Sequence, residues 1–213
     1  MYSYDLNMNL ANIQNKLAVQ VIKKDDFKEL KNIVGADVSF SQDNRAVAAA
    51  VIINLKDLEI IETIIREVEL LYPYKPGFLG FREANAMVST LNGLKRDYDV
   101  VMINGHGVLH PRGFGLASHV GLMIDKPTLG VAKKLIVGSH IIESNHFPEL
   151  IFFRNEILGA YLKGFYVSIG HKISLKTAIE LVNETSIFKT PEPIRQAHIL
   201  ATRDFKEILR ISN

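Results

Sequence analysis

At 213 residues and 47% hydrophobic, the chain is large enough for one substantial domain with a sizeable core. Its formal net charge is only +2, so any affinity for nucleic acid must come from a local basic patch and not from a global field. Cysteine is absent, which excludes disulfides and thiolate chemistry, and no apolar run reaches the ~18 residues that would span a membrane. The first ten residues, MYSYDLNMNL, lack the basic and apolar regions of a signal peptide, so a cytoplasmic location is expected. No repeat, low-complexity tract or long linker interrupts the chain, and residues 1–213 are read as a single domain.

Residues from Leu6 to Ile22 have helical spacing, with Leu10, Ile13, Leu17 and Val21 on one face; this predicts a helix packed on the outside of the core. Lys23–Lys31 reads as a charged loop. Ile33–Phe40 (IVGADVSF) is a strand with Asp37 in its middle. A carboxylate there is costly to bury unless a metal ion or a buried arginine pairs with it. Arg45–Leu55 is an almost wholly apolar strand, and Leu58–Val68 is a third with partial alternation. The short connections SQDN and LKD make these three an antiparallel meander.

Leu71–Glu83 (LYPYKPGFLGFRE) is kept out of a helix by Pro73, Pro76 and Gly77, and carries rings at Tyr72, Tyr74, Phe78 and Phe81. An aromatic on a proline-stiffened loop can stack on bases or wedge between them, and it can equally be a packed loop. From Gly80 the pattern turns helical, with Glu83 in the first or second turn, where the helix dipole favours negative charge. Tyr98–Ile103 is a buried strand, Leu116–Ile124 a helix, and Thr128–Ala132 a strand that ends in Lys133 and Lys134. This order predicts an α/β fold: a mixed sheet, an antiparallel meander plus parallel strands, flanked by helices. Leu158–Lys163 and Phe165–Ile169 are expected to form a hairpin about Gly164. Ser174 is placed as the N-cap of a further helix, and Pro191 or Pro193 starts the last one.

The segment between Val100 and Lys134 is the most informative. It sets His106, His110, Arg112 and His119 beside Gly105, Gly107, Gly113 and Gly115, directly after a buried strand. Sites are built at such sheet edges, and glycines let backbone approach a ligand closely. If the first and fourth strands are neighbours, Asp37, Glu83 and Asn104 can converge. Carboxylates around Mg²⁺ are the usual equipment for phosphodiester hydrolysis, with Lys133 and His110 available to stabilise charge or handle protons. His119 reads as a core or supporting group, His171 as structural and Lys134 as solvated. Arg112 is open between a phosphate contact and a tie within its own loop.

Six stretches in order, GADVSF, YPYKPGFLGFRE, NGHGVLHPRGFGLASHVGL, PTLGVAKK, VSIGHKISLKTAIELV and PEPIRQAH, resemble the endonuclease V (deoxyinosine 3′-endonuclease) family over nearly the full length. The resemblance implies a ribonuclease H-like fold and Mg²⁺-dependent hydrolysis, with Mn²⁺ as a substitute. The bond cut would be the second phosphodiester 3′ to a deaminated adenine, leaving a 3′-hydroxyl and a 5′-phosphate in the service of DNA repair. The metal ligands would be Asp37, Glu83 and position 104, with Lys133 and His110 completing the catalytic set and His198 as a supporting or metal-binding group. Pro73, Tyr74, Lys75 and Pro76 would be the strand-separating wedge, and Gly77, Leu79, Gly105 and His110 the base pocket. The partner would be DNA containing deoxyinosine, with inosine RNA left open and no membrane association.

One position departs from the family pattern. Asn104-Gly105 stands where the family has Asp-Gly, so a neutral oxygen replaces a charged one. Asp99 has the wrong strand parity to substitute, and Asp97 lies roughly 20 Å down the strand. Three accounts fit: an inactivating substitution introduced into the chain, a protein that binds without cutting, and an asparagine that serves as a weaker ligand. The intact remainder of the set favours the first. Outside this family, a non-cleaving binder of inosine-containing nucleic acid and a small-molecule metallohydrolase are the competing classes. The latter leaves the stiff Tyr74 loop unexplained.

Overall fold

The computed structural model describes residues 2–40, 45–70, 72–136, 140–142 and 148–211. The SQDN turn and Leu71 lie outside them. The first helix, α1, spans Tyr2–Ala18. Then come strands β1 (Asn32–Phe40), β2 (Arg45–Asn54) and β3 (Ile60–Glu69), helix α2 (Leu79–Leu91), strand β4 (Val100–Asn104), helix α3 (Leu116–Ile124) and strand β5 (Thr128–Ala132). The chain continues through β6 (His140–Ile142), β7 (Glu149–Phe153), β8 (Glu156–Leu162) and β9 (Phe165–His171), and finishes with helices α4 (Leu175–Thr185) and α5 (Glu192–Ile211).

The described strands form one sheet in the order β3-β2-β1-β4-β5-β9-β8-β7-β6. Its centre is parallel, β1 with β4 and β4 with β5, and antiparallel strands extend it on both sides. This is the expected mixed sheet, with the first and fourth strands adjacent. Strand alternation divides the core between its two faces. Ile33, Val100, Met102 and Val131 join Ala178, Leu181, Ile194 and Ala197 of α4 and α5 on one face. Val34, Ala36, Val101 and Ile103 join Ala84, Met87, Leu116 and Val120 of α2 and α3 on the other.

Local chemistry accounts for several element ends. The β8–β9 turn uses Lys163 (φ 52°) and Gly164 (φ 89°), both left-handed, as a two-residue hairpin requires. The Ser174 hydroxyl accepts from Thr177 N–H at 3.2 Å, the expected N-cap bond. The first helix departs from its predicted span and face. It stops at Ala18, short of Ile22, and Val21 packs from the following loop. Leu10 is buried as expected, but Ile13 is largely exposed and Gln14, 1% exposed, is turned inward in its place. Strands β6 and β7 carry no alternation strong enough to be read from sequence, and they lengthen the sheet beyond the expected elements.

Helix α5 lies along β1, and Gly35 admits it. A Cβ at Gly35 would fall 1.9 Å from the Pro193 carbonyl oxygen. Further along the same face, the Ser39 hydroxyl meets that of Thr202 at 3.2 Å. The substitution Gly35→Ala is expected to cost about 1–3 kcal/mol through overpacking, read as a lower urea midpoint.

Candidate active site

The paired strands β1 and β4 run in register from Ile33↔Val100 to Ala36↔Ile103, and the next positions along them are Asp37 and Asn104. The Asn104 amide donates to Asp37 Oδ1 at 3.0 Å. The second Asp37 oxygen meets His198 Nδ1 of α5 at 2.7 Å. That contact favours the charged ring and raises the His198 pKa. Asp37 itself is 5% exposed. Glu83 approaches from α2 and is 4% exposed. It is the fifth helical residue, past the first turn, so burial outweighs any help from the helix dipole. Burial and the Asp37 charge push its carboxyl up to about 8, against the opposing pull of Arg82. The structure thus brings Asp37, Glu83, Asn104 and His198 into one electrostatic group.

A hard dication prefers oxygen donors, and this set offers two carboxylates and an amide oxygen. A cation there would also offset the burial and the Asp37 charge that raise the Glu83 pKa. The fit is weaker than a three-carboxylate set. Among the described residues, no group of three His, Asp or Glu side chains is spaced to hold a metal ion. Asp99 is fully engaged at the other end of the strands, where its Oδ2 accepts from Lys31 and Asn32 N–H at 2.8 and 2.9 Å.

A groove of about 390 Å³ opens beside this group, lined by Asn104, Gly105, Leu79, His106, Lys133 and His198 among others. Lys133 is exposed, and its charge acts on His198. A smaller cavity of about 20 Å³ adjoins the groove at Leu79, His106 and Ile136, and Gly77 and His110 also line it. The candidate pocket residues therefore fall into two connected spaces, with Gly105 on the groove side and Gly77 and His110 on the other. His110 Nδ1 accepts from Arg112 N–H at 3.2 Å, and its Nε2 donates to the Gly77 carbonyl at 3.1 Å. Burial, with the Arg112 charge, pushes this ring down to about 4, so it is neutral at pH 7. These bonds tie His110 to the pocket; none of them reaches Asp37. Arg112 ties its loop: it donates to the Gly77 carbonyl at 2.6 Å and its guanidinium lies 4.4 Å from the Phe78 ring centre.

The wedge candidates Pro73, Tyr74, Lys75 and Pro76 sit in the stretch before α2, with Tyr74 59% exposed. Lys75 is steadied by Asn7 Oδ1 at 3.0 Å. His119 packs between Phe81 and Phe114, with ring centres 5.2 and 5.3 Å away, and burial pushes it down to about 4. His171 accepts from Ile22 N–H at 3.3 Å and is structural. Lys134 is exposed, and its carbonyl meets His106 Nε2 at 2.7 Å. Sequence reasoning marks His106 without assigning it a role, and it passes over Gln14. His106 borders both spaces, with a buried Nδ1 that has no partner among the described residues. Gln14 occupies a position on the buried stripe of α1, and a polar side chain at such a position was the signal available.

A mixed sheet with a parallel centre, Asp37 at its β1–β4 edge and Glu83 brought in from α2 is a ribonuclease H-like arrangement. The family model for Endonuclease V matches residues 15–199, and the chain belongs to that family of nucleases. It is 38% identical to the Endonuclease V of Dictyoglomus thermophilum over 200 residues, covering 90% of this chain and 87% of that one. With that of Rippkaea orientalis it shares 41% over 201 residues, 89% of this chain and 87% of the other. The catalytic domain of human Endonuclease V superimposes with a TM-score of 0.87 at 31% identity, covering 96% of this chain and 98% of that one. Ciona intestinalis Endonuclease V, solved with a 24mer DNA containing an inosine followed by a ribo-adenosine, gives 0.87 at 29% identity over 98% and 100% of the two chains.

The raised Glu83 pKa has a consequence for stability. A native value above the ordinary 4.5 means that folding takes up a proton, so this contribution is full at low pH and is lost as pH rises through about 8. In EDTA, the urea midpoint should fall between about pH 5 and pH 8.5, and Glu83→Gln should flatten that fall.

Proposed function

We propose that this chain recognises deaminated adenine, as inosine, in nucleic acid and hydrolyses the second phosphodiester on its 3′ side, for DNA repair. The observation that carries the reading is the convergence of Asp37, Asn104, His198 and Glu83 at the parallel β1–β4 edge, beside a groove that leads to the glycine-rich loop. The inosine-containing DNA bound by the Ciona relative supports the choice of substrate. One sheet drawing strands from the first third of the chain to its last supports residues 1–213 acting as a single domain.

Asp37, Glu83 and the Asn104 oxygen would hold Mg²⁺, or Mn²⁺ in its place. When bound, the ion would polarise the phosphate and acidify the attacking water. Asp37 orients His198, which carries a proton at the edge of the groove. The Lys133 ammonium offsets charge on the phosphate oxygens. Water oxygen adds to phosphorus, the bond to the 3′ oxygen breaks, and that oxygen leaves with a proton; the products are a 3′-hydroxyl and a 5′-phosphate. Pro73–Pro76 hold Tyr74 where its ring can replace a displaced base in the stack. Backbone at Gly77, Leu79 and Gly105, with His110, forms the base pocket, and its glycines suit recognition by main-chain groups.

A second reading is a binder that cleaves poorly. The Asn104–Asp37 hydrogen bond favours it, because it satisfies Asp37 without a cation. A nicking assay beside a gel shift on the same inosine oligonucleotide separates the two. The substitution Asn104→Asp is expected to raise Mg²⁺-dependent nicking by orders of magnitude, roughly 10²-fold or more, with binding little changed. Equal nicking by both forms would overturn the assignment of position 104 as a metal ligand.

A further inference from the structure

The Gly77 carbonyl oxygen is shared by three donors from two distant parts of the chain. Gln14 Nε2 reaches it at 3.1 Å, His110 Nε2 at 3.1 Å and an Arg112 terminal nitrogen at 2.6 Å. A carbonyl oxygen has two lone pairs, so three donors, one of them charged, over-determine its position. Gln14 links the set further. Its amide also donates to the Phe114 carbonyl at 2.9 Å, and its Oε1 accepts from Arg112 Nε. His110 has its Nδ1 lone pair occupied by Arg112 N–H, which leaves the Nε2 proton directed at Gly77. Gly77 itself has φ +79°, and a Cβ there would come within 2.8 Å of the Arg112 guanidinium. Glycine is what lets the clamp close.

Gly77 directly follows Pro73–Pro76. Helix α1 therefore grips this stretch at two points one turn or more apart, Asn7 on Lys75 and Gln14 on Gly77. Tyr74, between Pro73 and the first of these grips, is left exposed. A loop that must be ordered on binding spends interaction energy on its own entropy, whereas one already held does not. Separating a duplex adds an unstacking cost that a single strand does not carry.

Resting on the inosine-nuclease reading above, we propose that Gln14 and Arg112, acting with His110 through the Gly77 carbonyl, are positioning residues for strand separation, and that α1 is the brace that holds the Tyr74 loop ready to enter a duplex. The role is distinct from holding metal, and it adds to the support the same clamp gives the base pocket at Gly77 and His110. It predicts a loss specific to double-stranded substrate.

The test compares the wild-type chain and Gln14→Met on one inosine oligonucleotide, single-stranded and in duplex, with 2-aminopurine beside the inosine. Anisotropy reads affinity, and 2-aminopurine fluorescence reads unstacking; neither depends on cleavage. Gln14→Met is expected to lower the duplex-to-single-strand affinity ratio about tenfold and to reduce the unstacking signal in duplex alone. An equal loss on both substrates would mean that Gln14 supports only the fold or the base pocket, and no loss on either would mean that the clamp is idle; both results overturn the proposal. If Gln14→Met does not fold, Asn7→Ala decides, since it removes only the outer grip. It should lower the ratio about threefold, and an unchanged ratio overturns the brace. An adenine control on the wild-type chain isolates the other failure. No preference for inosine there defeats the functional reading itself, and the clamp's role with it.

Discussion

The parallel pairing of β1 with β4 is the constraint on which the candidate site depends. It places Asp37 and Asn104 side by side at the same end of adjacent strands, close enough for a direct hydrogen bond. It also fixes the face. Residues 33, 35, 37 and 39 of β1 alternate with 34, 36 and 38, and the odd set meets α5. Gly35 lets the start of α5 come down against the strand, and His198 then reaches Asp37. A buried helix contact and a buried carboxylate are thus two results of one close approach. Loosening the packing at Gly35 would reach the chemistry without touching any residue of it.

The second determinant is electrostatic. Glu83 sits on a helix whose dipole has little purchase on it beyond the first turn, in a space nearly closed to water and beside another carboxylate. Burial and the neighbouring Asp37 charge both disfavour a second carboxylate here, and they push the Glu83 pKa up to about 8. If the group takes up a cation as proposed, binding would displace the Glu83 proton and couple affinity to pH.

The sequence carried the architecture well, because most elements announce themselves by period or by turn chemistry. The IVGADVSF strand, the Lys163–Gly164 hairpin and the Ser174 cap all follow from local rules. The adjacency of Asp37 and Asn104 stood only as a condition in the sequence: α2 is flanked by β3 and β4, yet it is β1 that β4 pairs with, after the meander has carried β2 and β3 to the far side. What local rules could not supply was the choice between Ile13 and Gln14 on α1. Periodicity favours the apolar residue, but three polar groups, the carbonyls of Gly77 and Phe114 and the guanidinium of Arg112, were waiting for a partner and took the amide. Buried polar groups must be satisfied, and that requirement depends on residues more than sixty positions away. The short β6 and β7 strands escaped for the opposite reason. Their pairing depends on the sheet already built beside them.

Asn104 gathers these threads. Burial and the Asp37 charge raise the Glu83 pKa, position 104 is neutral, and the Asp37 carboxylate is already shared between an amide hydrogen bond and the His198 ring. An aspartate at 104 could not donate to Asp37. It would instead add a like charge 3 Å or so from Asp37, a repulsion that a cation relieves and nothing else nearby does. The difference of one atom therefore changes more than a ligand. The asparagine leaves Asp37 hydrogen-bonded within the protein. Position 104 touches the groove directly, but neither the glycine-rich loop nor the Tyr74 stretch is hydrogen-bonded through the Asn104 side chain among the described residues.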